Sequence, residues 1–136
     1  MRVAVASTGE GLDAAIDPRF GRCACFVVVD TETMKATTIP NPGASTAQGA
    51  GIQAAQSVAN ADVDAVIATN FGPNAHQALA AGEMALYSAS GGSVRDAVEA
   101  LQRGELKRVT AASVPAHFGM GQGGGMGRGG GRGGRW

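Results

Sequence analysis

A chain of 136 residues with 11 basic and 11 acidic side chains and 44% hydrophobic residues has the material for one apolar core and little for a second. No apolar run approaches the roughly 20 residues that cross a bilayer, and the opening MRVAVASTGE lacks the apolar stretch of a secretory signal, so the expected compartment is the cytoplasm. Charge is unevenly spread: Gly119 to Trp136 is mostly glycine with Arg128, Arg132 and Arg135 and no acid, so the remainder is net acidic.

Val3 to Ser7 reads as a first strand, and TGEGLDAAIDPRFG after it carries the Gly, Asp and Pro of a long loop. CFVVVD, from Cys25 to Asp30, is a second strand. TETMKATTIP is rich in β-branched residues and ends at Pro40, which predicts an antiparallel hairpin turning around Thr31 to Met34. Asn41-Pro42-Gly43 breaks that rhythm, after which Ile52, Ala55 and Ala59 fall at helical spacing. Gly49 and Gly51 are expected at or before the helix start, because interior glycine costs about 1 kcal/mol against alanine. VDAVIAT, from Val63, has the continuous apolar character of a strand covered on both faces. Asn70-Phe71-Gly72-Pro73 then opens a short helix with proline at its first position, ending near Gly82. Met84 to Tyr87 is a further buried strand, and Ser93 with Asp96 resembles a capping box. Val94, Ala97, Val98 and Leu101 form the inner stripe of the last helix, and Gly104 ends it.

The order β-β-β-α-β-α-β-α predicts a three-layer α/β domain with a five-stranded mixed sheet over residues 1–110. Residues 111–136 are expected to be a flexible Gly/Met/Arg-rich tail, since few side chains there offset the entropy of ordering.

Three predicted helices begin just after the glycine-containing stretches GASTAQGAG, NFGPN and SGGS. Helix starts present unpaired N–H groups and a partial positive charge, which suits anions, although each glycine also suits a plain turn. DPRFGRCACF adds Arg19 and Arg22, whose guanidinium forks bind multi-atom anions, and two cysteines one residue apart. In extended chain both thiols would face one side, and neighbouring arginine would favour thiolate. Cys25, followed by FVVV, reads as a small apolar strand residue, which leaves Cys23 as the metal-ligand candidate. A closed zinc site of Cys23, Cys25, His76 and His117 is disfavoured by the Cys-x-Cys spacing. His76, in the first helical turn after Pro73, reads either as a ligand contact or as a solvated histidine. His117, the second metal-ligand candidate beside Cys23, stands at the border of the tail, where Met120 and Met126 offer soft thioether donors.

DPRFGRC after the first strand and loop, GAGIQAAQ at the first helix, VDAVIATNFGPNA at the next strand-to-helix turn and a Gly/Met/Arg-rich end together resemble the dinitrogenase iron-molybdenum cofactor biosynthesis family, over about residues 1–104. That family includes small nitrogenase accessory proteins and the orange proteins of sulfate-reducing bacteria. The resemblance implies a ribonuclease H-like fold and reversible, non-catalytic carriage of a preformed metal-sulfur cluster: an iron-molybdenum-sulfur precursor or a molybdenum-copper-sulfide anion. Matching positions are Phe20, Gly21 and Arg22, then Gly49 and Gly51, then Asn70, Gly72 and Pro73. The position after Phe-Gly-Arg varies in the family, so the resemblance does not make Cys23 a ligand. Cluster-assembly proteins or neighbouring ATPases are the partners such a role implies.

Two other classes compete with it. A ribonuclease H-like nuclease needs clustered carboxylates for metal ions, and Val3–Ser7, the helix from Gly51 and the strand Ala65–Asn70 carry no Asp or Glu. An interaction module would use GRGGGRGGRW to bind RNA or an acidic protein, but three arginines on an otherwise acidic chain make a weak footprint for nucleic acid.

Overall fold

The computed structural model describes residues 1–45 and 49–110. Its strands are β1 (Arg2–Ser7), β2 (Cys25–Asp30), β3 (Lys35–Pro40), β4 (Ala65–Ala68), β5 (Ala85–Ser88) and β6 (Lys107–Arg108), and its helices are α1 (Ala50–Asn60), α2 (Pro73–Ala81) and α3 (Val94–Gln102). A 3-10 turn spans Pro42–Ser45. The sheet order is β3-β2-β1-β4-β5-β6. β1, β4 and β5 are parallel to one another, whereas β2, β3 and β6 pair antiparallel with their neighbours.

The hairpin is in the expected register, with Asp30 opposite Lys35 and Cys25 opposite Pro40. Six strands stand where five are expected. The chain leaves α3 through Gly104 at φ 71°, and Lys107 and Arg108 then pair with Ser88 and Tyr87. Two charged, exposed residues have none of the apolar pattern by which a strand is read, and charge on an edge strand discourages further pairing.

Side chains alternate across the central strands. Ala4 and Ala6 of β1 face a cluster with Ala54, Ala55 and Val58 of α1 and Ala75 and Leu79 of α2. Val3 and Val5 face the opposite way, towards Val94, Ala97 and Val98 of α3. The domain is therefore three-layered, with α1 and α2 on one face and α3 on the other. Burial of side chains such as Val58 and Leu79, both fully enclosed, supplies about 1.5–3 kcal/mol each. No helix among the described residues is long and apolar enough to cross a membrane. His117 and the predicted tail lie outside the described residues.

Candidate anion site at the parallel-strand edge

Because β1, β4 and β5 are parallel, the loops that follow them gather at one edge, the usual ligand crevice of open α/β sheets. The first of these, residues 8–24, runs beside the β4–α2 turn: Arg19 bridges Asn70, and the Asn70 N–H donates to the Pro18 carbonyl at 3.1 Å. Phe20 lies beneath, with ring centroids 5.1 Å from Phe26 and 5.5 Å from Phe71. It is buried, so it anchors the loop to the core rather than offering a surface to a ligand.

Glycines bring the pieces together. A β-carbon on Gly21 would stand 3.1 Å from the Gly51 Cα, and one on Gly51 would stand 3.2 Å from the Ala75 β-carbon. The arginine loop, the first turn of α1 and the first turn of α2 thus pack backbone to backbone, which side chains at these positions would prevent. Gly49 caps α1 in the left-handed region at φ 72°, where glycine meets no steric cost. Gly72 differs: its φ is −76° and a β-carbon there would meet nothing within 4 Å, so neither backbone nor packing requires glycine.

The three glycine-led helix starts are not equivalent. At α3, the Val94 and Arg95 N–H groups donate to the Ala14 and Leu12 carbonyls at 2.9 and 2.8 Å. The Asp96 N–H donates to Ser93 Oγ within a complete capping box. That start is consumed by the fold, so of the two readings of SGGS the plain turn holds. Neither α1 nor α2 has a side-chain cap or an acidic residue in its first turn. Their positive ends, adjacent at Gly51 and Ala75, are not compensated by acid in their own first turns. Pro73 occupies the first turn of α2, and the half-buried His76 follows one turn into the helix, its N–H bonded to the Gly72 carbonyl.

Arg19 is exposed and Arg22 half-buried. Asp17, which sequence reasoning passed over, is a buried carboxylate whose Oδ1 accepts the Arg19 N–H at 2.9 Å and lies 3.7 Å from its Nε. An Asp-Pro-Arg run is the signal that could have found it, since Asp readily bonds the backbone two residues on.

The thiols depart from expectation. Cys23 lies in the turn before β2, fully buried in the α1–α2 cluster, while Cys25 is in phase with Val27 and Val29 on the α3 side, its Sγ donating to the Gly9 carbonyl at 3.0 Å. The two therefore face opposite ways, because Ala24 forms a bend and the stretch is not extended. Cys23 Sγ donates to the Phe20 carbonyl at 3.2 Å, and burial, aided by the Asp17 charge, pushes its pKa from 9.0 up to about 12. Arginine does not make it a thiolate, and in this arrangement it is no exposed ligand. Among the described residues no three His, Cys, Asp or Glu side chains converge to chelate a metal ion.

The raised pKa has a stability consequence. Between pH about 9 and about 12 the unfolded thiol has lost its proton and the folded one has not, so unfolding releases protons and stability falls as pH rises. Wild type should therefore lose about 1 kcal/mol or more relative to Cys23→Ala between pH 8 and pH 10.5. Urea midpoints of both proteins at both pH values measure it, and parallel pH profiles would show that Cys23 titrates normally.

The fold and this edge define a small α/β domain in which a glycine-lined arginine loop is packed beside two helix starts. Residues 1–104 match the dinitrogenase iron-molybdenum cofactor family, and the chain belongs to it. The apo orange protein of Desulfovibrio gigas is similar in structure, with a TM-score of 0.80 and 38% identity over 83% of this chain and 96% of that one. A Thermotoga protein provisionally assigned as NifB has a TM-score of 0.73 and 34% identity, covering 83% and 97%. An uncharacterized Methanocaldococcus jannaschii protein is 28% identical over 96 residues, 68% of this chain and 81% of its own length.

Proposed function

We propose that the protein binds and carries a preformed anionic metal-sulfur cluster, an iron-molybdenum precursor or a molybdenum-copper-sulfide, without transforming it. The observation that carries this reading is the seating of the Arg19–Arg22 loop against two adjacent helix starts that have neither side-chain caps nor acids. Such a mouth offers N–H dipoles and guanidinium groups, which suit a cargo whose sulfides already satisfy its metals. Membership of an iron-molybdenum cofactor family supports cluster cargo over phosphate or nucleotide. Arg19, Arg22, Gly49, Gly72 and His76 would face the cargo, with Phe20, Gly21, Gly51, Asn70 and Pro73 setting the frame. The β3-β2-β1-β4-β5 core is the basis for describing the fold as ribonuclease H-like. The role fits a cytoplasmic carrier that exchanges cargo with cluster-assembly proteins or ATPases.

Protein purified without oxygen, or mixed with tetrathiomolybdate and copper(I), should absorb visible light. The chromophore should remain bound through gel filtration, with molybdenum and sulfide in fixed ratio to protein. Protein that retains neither native metal nor the added probe would overturn the reading, and a salt-sensitive shift of RNA in the same preparation would favour the interaction module.

A further inference from the structure

Asn41, the first residue after β3, is a polar side chain that is only 5% exposed in an otherwise apolar setting. Its Nδ2 donates to the Gly21 carbonyl at 3.1 Å and to the Cys23 carbonyl at 2.8 Å, and its Oδ1 accepts the Gly43 N–H at 2.9 Å. Two carbonyls at one end of the amide require the NH2 there, and an N–H at the other requires the oxygen, so the orientation is set by its partners. The two carbonyls belong to the residues on either side of Arg22.

We propose that Asn41 is the positioning residue for Arg22: by holding the carbonyls of Gly21 and Cys23, one residue to either side, the amide pins both ends of the short turn that carries the guanidinium towards the mouth. A single hydrogen bond would leave the turn free to swing, whereas two bonds that bracket Arg22 and Cys23 from one buried amide limit how far the turn, and the arginine on it, can move. The same amide ties the turn to α1 through Gly43, where an added β-carbon would run into the Ala50 and Gly21 carbonyls. Arg22 and the α1 start are thus registered to one buried group. An aspartate of the same shape would lack both donors and would place negative charge beside two carbonyls and below an anion site. Asparagine rather than aspartate is therefore the residue that this task requires.

The inference rests on the cluster reading for its effect on binding, but its structural half can be tested without a ligand. In ligand-free protein the Asn41 side-chain NH2 protons should exchange slowly with solvent, and Asn41→Ser should broaden the amide signals of Gly21 to Cys23. Titrated with tetrathiomolybdate and copper(I) well below its thermal transition, Asn41→Ser should bind about tenfold more weakly than wild type. In an Arg22→Ala background the same change should cost almost nothing, because a residue that acts through Arg22 has nothing left to position. Val98→Ala, on the opposite face and also destabilising, should bind normally.

Losses that add fully in the double variant, or sharp Gly21–Cys23 signals in Asn41→Ser, would overturn the proposal. A wild type that binds no cluster while those signals still broaden would defeat the cluster reading and with it the assigned purpose, leaving Asn41 as a fastener of the turn alone.

Discussion

Arg22→Ala is expected to weaken binding of a thiomolybdate-copper cluster by one to two orders of magnitude, and Cys23→Ala to leave it nearly unchanged. An anionic cluster gains from each charge-assisted donor in a partly desolvated mouth, with about 1.5–3 kcal/mol for a hydrogen bond to a charged group. That range corresponds to roughly 10- to 100-fold in affinity. Arg22 is half-buried and lies in the turn packed on the α1 start, where water screens it less than it screens the more exposed Arg19, which is already paired with Asp17. Cys23 starts from the opposite position. Its thiol is buried, bonded to the Phe20 carbonyl and protonated at neutral pH, so ligating a metal would require it to leave the core and ionise. Cys23→Ala removes one small buried side chain and should cost the fold about 1 kcal/mol. Optical titration of both variants, with thermal melts to confirm folding, decides the matter; a larger loss for Cys23→Ala would show that the thiolate is a ligand and that the turn reopens on binding.

Much of this architecture is legible in residue pattern alone. The apolar runs of β1, β2 and β4 and the Ser93–Asp96 box depend on local chemistry, and the structure has them where the pattern puts them. β6 is not legible in this way, because its two charged residues pair only after the rest of the sheet exists to receive them. Nor is the orientation of Cys23. Alternation holds in a strand and fails in a turn, and a bend at Ala24 suffices to send one thiol into each layer.

At the site, the glycine motifs are easy to see but their roles are not. Whether a glycine serves backbone conformation, close packing or a ligand depends on neighbours far away in sequence. Gly21 meets Gly51 and Gly51 meets Ala75, so these glycines are required by packing between segments. Asp17, Asn41 and Gly43 each read as ordinary turn chemistry until the partner, Arg19, Cys23 or Ala50, is placed beside it.

The contrast among glycines yields the largest expected effect on stability. Gly43→Ala should lower it by about 3 kcal/mol, a fall in melting temperature of roughly 10–20 °C. Its new β-carbon would stand 2.5 Å from the Ala50 carbonyl oxygen, 3.0 Å from that of Gly21 and 3.1 Å from Asn41 Oδ1. Two of these atoms are backbone and the third belongs to a side chain held by several hydrogen bonds, so none can yield without moving the start of α1 or the arginine turn. Gly72→Ala should do the opposite. At φ −76° alanine fits, nothing lies within 4 Å, and the loss of unfolded-state freedom should leave the melting temperature unchanged or raised. Its methyl would nonetheless occupy open space at the uncapped start of α2, where a bound cluster would approach the backbone, and affinity should fall about tenfold. A melt and a titration on each variant separate the two roles. Gly43→Ala melting within a few degrees of wild type would show that the turn is loosely packed, and Gly72→Ala binding at full strength would show that the cluster does not reach α2.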